Sequence, residues 1–460
     1  MRLFIANRGE IAVRVARAAR EIGWSPRGAF TEVDADALHR SAMDECAPLG
    51  ASDGYLSVSR LLEAARALGS EAVHPGYGFL AENASFAQAV IEAGLRWVGP
   101  APESIAEMGD KQRAKVLARA AGVPLVPSGA DAGFPALMKA AAGGGGRGMR
   151  VVRSAAELDE ARVRASEEAR AAFGDGTVYV ERLLEGARHV EVQVLGDRRG
   201  KVVSLGTRDC SVQRRHQKLV EEAPALGAPA AMEEAALRLA SAVHYEGAGT
   251  VEFLLLPSGD FYFIEMNTRV QVEHPVTECV TGIDIVAAQL RIAAGERVPD
   301  VPSPRGHAIE CRVIAEDPHE GFVPSPGTLV RFRPPAGPGI RVDAGVTEGS
   351  VVSPHYDSLL AKLIVHGTDR EAARARMALA LGEFEIAGVR TTAALCRDIV
   401  RSTEFAHARI DTGWLERFMV DYQPAVPLAA ALGAATLAGP ARATGPVALP
   451  TPWQSLGRWP

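Results

Sequence analysis

Short apolar runs alternate with helically spaced apolar positions through the first hundred residues. Leu3 to Ala6 predicts a strand, after which Ile11, Val15, Ala19 and Ile22 recur at helical intervals. Gly28 to Thr31 and Ala72 to His74 predict further strands, with a helix over Ser59 to Leu68 between them. Strand, helix, strand at this spacing implies a parallel sheet in an α/β domain. A helix follows at about Asp110 to Ala121, ended by Gly122 and Pro124. Strand-like pieces then cover Ala136 to Ala140, Met149 to Val152, Thr177 to Glu181 and His189 to Leu195, interrupted by a helix from Ala155 to Phe173. The pattern is strand-rich from 250 to about 275, and a further unit with β and α patterns runs from about 306 to 418. Residues 424–450 are mostly Ala, Pro, Gly and Leu, as in a linker or loosely packed tail, and Thr451 to Pro460 adds two tryptophans that suggest a contact segment.

Composition narrows the class without naming a function. A chain of 460 residues allows about two to four domains. With 47% apolar and 23% charged residues it is ordinary globular protein, not a disordered or collagen-like chain. The net charge of −6 is mild and spread out, so neither nucleic acid nor an anionic membrane is expected as a partner. Five cysteines are odd in number and widely spaced, which argues against a disulfide framework or structural zinc and fits a reducing compartment. No apolar run approaches the roughly 18 residues of a membrane span. The apolar start, Leu3 to Ala6, is too short for a signal peptide. A soluble cytoplasmic protein is expected.

Glycines are numerous, 46 in all, and they concentrate at one place: Gly143 to Gly148 holds five in six positions. The segment matches GxGxxG, but a strand follows it where a dinucleotide fingerprint needs a helix. No Gly-Lys-Ser/Thr occurs, so it is not a Walker A loop either. What remains is a hairpin tip whose backbone N–H groups can cradle phosphate, with Lys139 adding a point charge, or else a plain surface turn.

A second pattern carries acidic chemistry. Val251 to Leu256, a loop at Pro257 to Asp260, and Phe261 to Asn267 read as a β-hairpin. Pairing Leu256 with Phe261 sets a register that places Glu252 opposite Glu265. Two carboxylates facing each other across strands repel, which makes sense if a divalent cation sits between them; two carboxylates and the Asn267 amide suit Mg²⁺ or Mn²⁺. Glu265, Asn267, Arg269, Gln271 and Glu273 then occupy alternate positions, so an extended chain would line them along one surface. A solvated outer strand shows the same alternation. A third cluster, Arg208 to Lys218 with nearby His189 and Glu191, is dense in donors and reads either as part of a site or as a basic surface loop.

These motifs together resemble one family. Asn7-Arg-Gly-Glu-Ile-Ala12, His74-Pro-Gly-Tyr-Gly-Phe-Leu-Ala-Glu-Asn83, Gly109-Asp-Lys111, Gly143 to Met149, Gln213-Arg-Arg-His-Gln-Lys218 and Glu265-Met-Asn-Thr-Arg-Val-Gln-Val-Glu-His-Pro275 look like biotin carboxylase, the ATP-grasp component of biotin-dependent acyl-CoA carboxylases. The resemblance covers about residues 1–418. It implies a multidomain α/β and α+β fold: a Rossmann-like pre-ATP-grasp domain (1–110), an ATP-grasp unit (111–305) with a mobile lid at about 127–184, a C-terminal biotin carboxylase domain (306–418) and a connector or tail (419–460). It also implies the reaction, in which bicarbonate and ATP with Mg²⁺ or Mn²⁺, two ions, give carboxyphosphate and ADP. Carbon dioxide then passes to N1′ of biotin on a carrier protein.

Carried over by motif, Lys111 and Lys139 would hold ATP phosphates with the Gly144, Gly145 and Gly146 backbone. Glu181, Arg182, Leu183 and Leu184 would lie beside adenine with Met149, and His189 would contact ribose. Gln213, His216 and Leu254 would belong to the nucleotide side, and Glu252, Glu265 and Asn267 would bind metal. Lys218, Arg269, Gln271 and the Val272 backbone would hold bicarbonate, with Glu273 as general base. Arg341, in Gly339-Ile-Arg341-Val-Asp343, would stabilise the biotin enolate, with Tyr77 on the same bicarbonate and biotin side. The implied partners are a biotin carboxyl carrier protein or biotinyl domain, a carboxyltransferase subunit and a second copy in a homodimer.

Two departures bear on this reading. The family usually has an extra helix before the strand that carries Lys139, whereas here Pro127 to Phe134 leads almost directly into it. The tail resembles the connector of acyl-CoA carboxylase α chains with no biotinyl domain after it, so the carrier would be a separate chain or this chain a fragment. Another ATP-grasp ligase, of the carbamoyl-phosphate kind, and a non-catalytic carboxylase subunit are the alternatives.

Overall fold

The computed structural model describes residues 1–140, 150–215 and 217–423. Gly144, Gly145, Gly146, Met149, His216 and the tail from 424 onward lie outside the described residues.

The N-terminal pattern folds into the predicted parallel sheet, with two strands beyond those the periodicity predicts. Strand β1 (Arg2–Ile5), helix α1 (Gly9–Glu21), β2 (Ser25–Phe30), β3 (Glu45–Pro48), β4 (Ala72–His74) and β5 (Arg96–Trp97) form a parallel sheet in the order β3-β2-β1-β4-β5. Leu3, Phe4 and Ile5 are all fully buried, because a central parallel strand is covered on both faces. Ile11, Val15 and Ala19 turn one face of α1 onto that sheet.

Asp110 then starts helix α2 (Lys111–Ala120) by accepting from the backbone N–H groups of Gln112 and Arg113. Between α2 and the next strand the chain makes only a short 3₁₀ turn at Gly129–Asp131, so the extra helix common in the family is absent from this stretch. Strands β6 (Ala136–Ala140), β7 (Arg150–Val152) and β8 (Val178–Arg182) form a small antiparallel sheet, β7-β6-β8, covered by helix α3 (Leu158–Phe173). Its core is a few small side chains, Ala136, Met138, Val152 and Ala165.

The largest element is an eight-stranded antiparallel sheet. It comprises β9 (Arg188–Gly196), β10 (Val202–Arg214), β11 (Gln217–Ala223), β12 (Gly247–Leu255), β13 (Phe261–Asn267), β14 (His307–Ile314), β15 (Ile340–Ala344) and β16 (Leu359–Gly367). The order is β13-β12-β9-β10-β11-β14-β16-β15, so strands on either side of residue 305 share one sheet. Helix α4 (His274–Thr281), nearly all buried, packs beside β10, β11, β14 and β16.

Three expectations need correction. The donor-dense segment from Arg208 to Lys218 is not a surface loop: it is the hairpin of β10 and β11, and Arg208 is 0% exposed. Charge masked the strand signal there, because the polar side chains face a polar interior. The tip of the β12/β13 hairpin pairs Leu255, not Leu256, with Phe261, and an irregularity between Glu252 and Phe253 restores the register that sets Glu252 against Glu265. The extended run also stops at Asn267, so Arg269, Gln271 and Glu273 lie on a connection into α4 and not on one continuous strand.

Candidate active site

Lys218 stands at the centre of the eight-stranded sheet. β11 carries it opposite Gln213 on β10, and its neighbours come from three other segments. Its ammonium donates to Glu191 Oε2 at 2.6 Å, Glu252 Oε1 at 2.8 Å and Glu273 Oε1 at 2.6 Å. Burial would strip the proton from a lone lysine, but Glu191, Glu252 and Glu273 outweigh it and push Lys218 well above its ordinary range. The reciprocal holds for the acids. Burial alone would raise Glu273, yet Lys218, then Arg312 and Arg208, hold it far below the usual carboxylate range. Glu252 is likewise held low against burial by Lys218 and His189, whose Nε2 lies 3.0 Å from Glu252 Oε2.

Arg208 shows why this cluster is ordered. Its guanidinium donates to Glu191, to Gln193 Oε1 at 2.7 Å, Thr277 Oγ1 at 2.9 Å, Thr250 Oγ1 at 3.1 Å and Gln271 Oε1 at 3.0 Å. A buried guanidinium needs all five N–H groups satisfied, and here β9, β12, α4 and the Gln271 connection supply the acceptors. Gln271 then turns its Nε2 to Glu252 Oε1 at 2.8 Å.

Glu252 and Glu265 are direct cross-strand partners. Burial, then the Glu252 charge, raises Glu265 above its ordinary value. Asn267 Nδ2 donates to Glu252 Oε1 at 2.9 Å, while Asn267 Oδ1 accepts from Arg269 at 2.9 Å. Arg269 also donates to Glu82 Oε2 at 2.9 Å. The mutual repulsion and the all-oxygen set fit a hard divalent cation. His189, Glu191 and Glu252 also bring ligand atoms within 4.8 Å of one another. Both oxygens of Glu191 are committed to Arg208 and Lys218, and Glu252 Oε1 likewise accepts from Lys218, Asn267 and Gln271, so a cation between Glu252 and Glu265 would take the place of some of these donors.

On the other side of Glu273 stands Arg312, on β14. Its Nη2 donates to Glu273 Oε2 at 3.0 Å and its Nε to Glu221 Oε1 at 2.5 Å, leaving Nη1 without a partner among the described residues. Arg341 does not hydrogen-bond to Glu273 among the described residues. Its Nε and Nη2 grip Asp343 at 2.9 and 2.6 Å and its Nη1 reaches Glu278 at 2.7 Å, so all three nitrogens are spent on carboxylates. Tyr77 gives its hydroxyl to Glu10.

The nucleotide-side residues lie on separate elements. Lys111 is the first residue of α2 and is exposed. Lys139 on β6 donates to Glu181 Oε2 on β8 at 2.6 Å, and Lys115 pairs with the other oxygen of Glu181. Arg182 donates to the Ala132 carbonyl at 3.0 Å, and Leu183 N–H to the Pro135 carbonyl at 2.9 Å, which ties the chain after β8 to the start of β6; Leu184 follows, half-buried. Leu254 pairs with His189 across β12 and β9, and Gln213 is buried on β10.

Arg312 was not among the candidate residues, and Arg208 and Glu191 entered only as members of a donor-dense cluster, with no role of their own. Glu191 and Arg312 had a faint signal, a charge two positions from another polar residue in an otherwise apolar strand: His189-Val-Glu191-Val-Gln193 and Glu310-Cys-Arg312.

The same organisation is found in known proteins. Residues 1–105 match the family model for the biotin carboxylase N-terminal domain, 110–301 that for the ATP-binding domain of the carbamoyl-phosphate synthase L chain, and 310–417 that for the biotin carboxylase C-terminal domain. The chain is 48% identical over 458 residues to the biotin-dependent acyl-coenzyme A carboxylase alpha3 subunit of Mycobacterium leprae, covering 92% of this chain and 76% of that one. It is 46% identical over 439 residues to a Nostoc biotin carboxylase, covering 90% of this chain and 98% of that one. Among solved structures it is similar to the biotin carboxylase domain dimer of Hydrogenobacter thermophilus 2-oxoglutarate carboxylase in complex with MgADP, ADP and bicarbonate. There the TM-score is 0.87 at 44% identity, covering 92% of this chain and 99% of that one.

Proposed function

This chain belongs to the biotin carboxylase family, and we propose that the buried cluster around Lys218 is where it carries out the family's reaction. That reaction is ATP-dependent carboxylation, with bicarbonate and by way of carboxyphosphate, of the biotin on a carrier protein, the first half-reaction of an acyl-CoA carboxylase. The observation that carries the placement is Glu273, a buried ionised carboxylate held between the cations of Lys218 and Arg312. A site of this kind binds a small anion and offers it a base.

Lys218, Arg269, Gln271 and the Val272 amide hold bicarbonate, and Glu273 takes its proton. In the resting arrangement Glu273 is too weak a base, because Lys218 and Arg312 both serve it. An entering anion draws on the same two cations. Shared between two anions they stabilise Glu273 less, and its proton affinity rises toward the working range. Arg341 keeps the enolate role the resemblance gives it: three of its five N–H groups serve Asp343 and Glu278, and Arg312 borders the base.

For the nucleotide, Lys111, Lys139 and the Gly144–Gly146 backbone take the phosphates and Glu181 to Leu184 the adenine. His189, Gln213, His216, Leu254, Met149 and Tyr77 keep the places the resemblance gives them. Glu252, Glu265 and Asn267 hold Mg²⁺ or Mn²⁺, two ions, which when bound neutralise phosphate charge. Dividing the chain near 110 and 305 is supported by where the three family models end. A carrier protein or biotinyl domain, a carboxyltransferase subunit and a second copy of the chain are the partners; the dimer is supported by the structure of the Hydrogenobacter domain. Among the described residues no helix is long and apolar enough to cross a membrane.

Phosphate release from ATP, measured with and without bicarbonate and free biotin, tests the reading. Release should require bicarbonate and rise with biotin. ATP cleavage indifferent to both would overturn it.

A further inference from the structure

Two buried groups with no assigned role grip consecutive carbonyls of the connection that carries Glu273. The Gln271 carbonyl accepts from His274 Nδ1 at 2.7 Å and from the His274 N–H at 3.3 Å. The Val272 carbonyl accepts from Lys362 Nζ at 2.9 Å. In a trans peptide the N–H points opposite to the C=O. Holding the Gln271 carbonyl therefore turns the Val272 N–H away from His274, and holding the Val272 carbonyl turns the Glu273 N–H away from Lys362. Among the described residues neither of these amides donates a hydrogen bond.

Both grips are built for direction. A carbonyl only accepts, so Nδ1 of His274 carries the proton, and its Nε2 is buried without a hydrogen-bond partner. Burial, then the charges of Lys362, Arg14 and Arg341, keep the ring neutral in that single tautomer. Lys362 is 0% exposed on β16. Its other neighbours are Glu10 Oε1 at 3.2 Å and Asp343 Oδ2 at 3.9 Å, and Glu10 also accepts from Tyr77. One peptide group is thus fixed by the N-terminal region through Glu10 and by β15 and β16 through Asp343 and Lys362.

We propose that His274 and Lys362 are positioning residues that aim the backbone amides of Val272 and Glu273 at the bicarbonate oxygens. The proposal rests on the bicarbonate reading above and deepens it. Neither side chain touches the substrate. They act by removing the two carbonyls, which would repel an anion, and presenting two amides in their place. Lys362 also makes the site sensitive to how the N-terminal and C-terminal parts of the chain are joined.

The experiment uses the full chain and steady-state ATP cleavage, with KM for bicarbonate and for ATP measured separately. His274→Asn keeps an N–H donor near Nδ1, and His274→Leu removes it. His274→Leu should raise the bicarbonate KM by about tenfold or more while the ATP KM stays within about twofold, and His274→Asn should recover most of the loss. Lys362→Met should act in the same direction and Lys362→Arg less so; if Lys362→Met does not fold, the His274 pair decides. An unchanged bicarbonate KM in His274→Leu, equal behaviour of His274→Asn and His274→Leu, or equal rises in both KM values would overturn the proposal. Wild-type cleavage that ignores bicarbonate would instead overturn the reading beneath it, so the two failures are distinguishable.

Discussion

The eight-stranded sheet and the small β6-β7-β8 sheet both hold charged pairs, but they hold them differently. In the large sheet Lys218 and Arg208 are buried and each serves several groups at once. At the small sheet Lys139 and, from α2, Lys115 share the single carboxylate of Glu181, and the Lys139 side chain is 27% exposed. A buried network of many shared hydrogen bonds costs much to disturb and keeps one geometry. A part-exposed lysine that shares a buried carboxylate with a second lysine can be exchanged for a ligand at less cost, because the acid keeps one cation. On the reading proposed above, the bicarbonate residues are therefore held in place before substrate arrives. On the proposed nucleotide side, by contrast, Lys139 would have to loosen from Glu181 to meet phosphate, with Lys115 left to neutralise the acid.

The sharpest way to break this contrast is at the base. Glu273→Gln should lower bicarbonate-dependent ATP cleavage by about 10²- to 10⁴-fold. A variant within a few-fold of wild type would remove Glu273 from the chemistry. Next is the network that holds it. Arg208→Met leaves Glu191 buried with one cation fewer and should destabilise the protein by about 3–5 kcal/mol, read by denaturant unfolding. A loss below about 1 kcal/mol would mean the large sheet is as forgiving as the small one.

A third test uses acidity. Glu221, the second partner of Arg312, is raised to about 7, first by burial and then by the charge of Glu273, against the opposing pull of Arg312. An acid whose folded pKa is raised stabilises most below its unfolded value of about 4.3 and loses that contribution as pH climbs through its folded value. Melting temperature should thus fall less between about pH 5 and pH 8 in Glu221→Gln than in wild type; identical slopes would count against it. The smallest expected effect on stability is at the small sheet. Lys139→Met should cost less than about 1 kcal/mol, because Glu181 keeps Lys115, yet raise the KM for ATP. A large drop in stability there would erase the comparison.

Much of this was legible in one dimension. That the N-terminal region holds a parallel sheet follows from apolar runs, helical spacing and short connections at three of its strands; the strand order, and the strands at Glu45–Pro48 and Arg96–Trp97, do not. The Glu252–Glu265 opposition follows from a hairpin, which is a local object, and survived an error at the hairpin tip because an irregularity restored the register. The β10/β11 hairpin was not legible as strands. Its inward side chains are charged, and hydropathy cannot tell a polar interior from solvent.

The sequence by itself determined which residue types exist for the chemistry and, through local periodicity, which of them share a strand face. It could not determine which guanidinium meets Glu273. Arg341 and Arg312 both lie on strands of the C-terminal part and differ in nothing that spacing records. The order β11-β14-β16-β15 decided it, setting Arg312 beside Glu221 and Glu273 and leaving Arg341 to Asp343 and Glu278. The grip of Lys362 on Val272 has the same origin, since 90 residues separate the two partners. Contacts of that span are fixed by how strands stack across the whole sheet, and no local pattern encodes them.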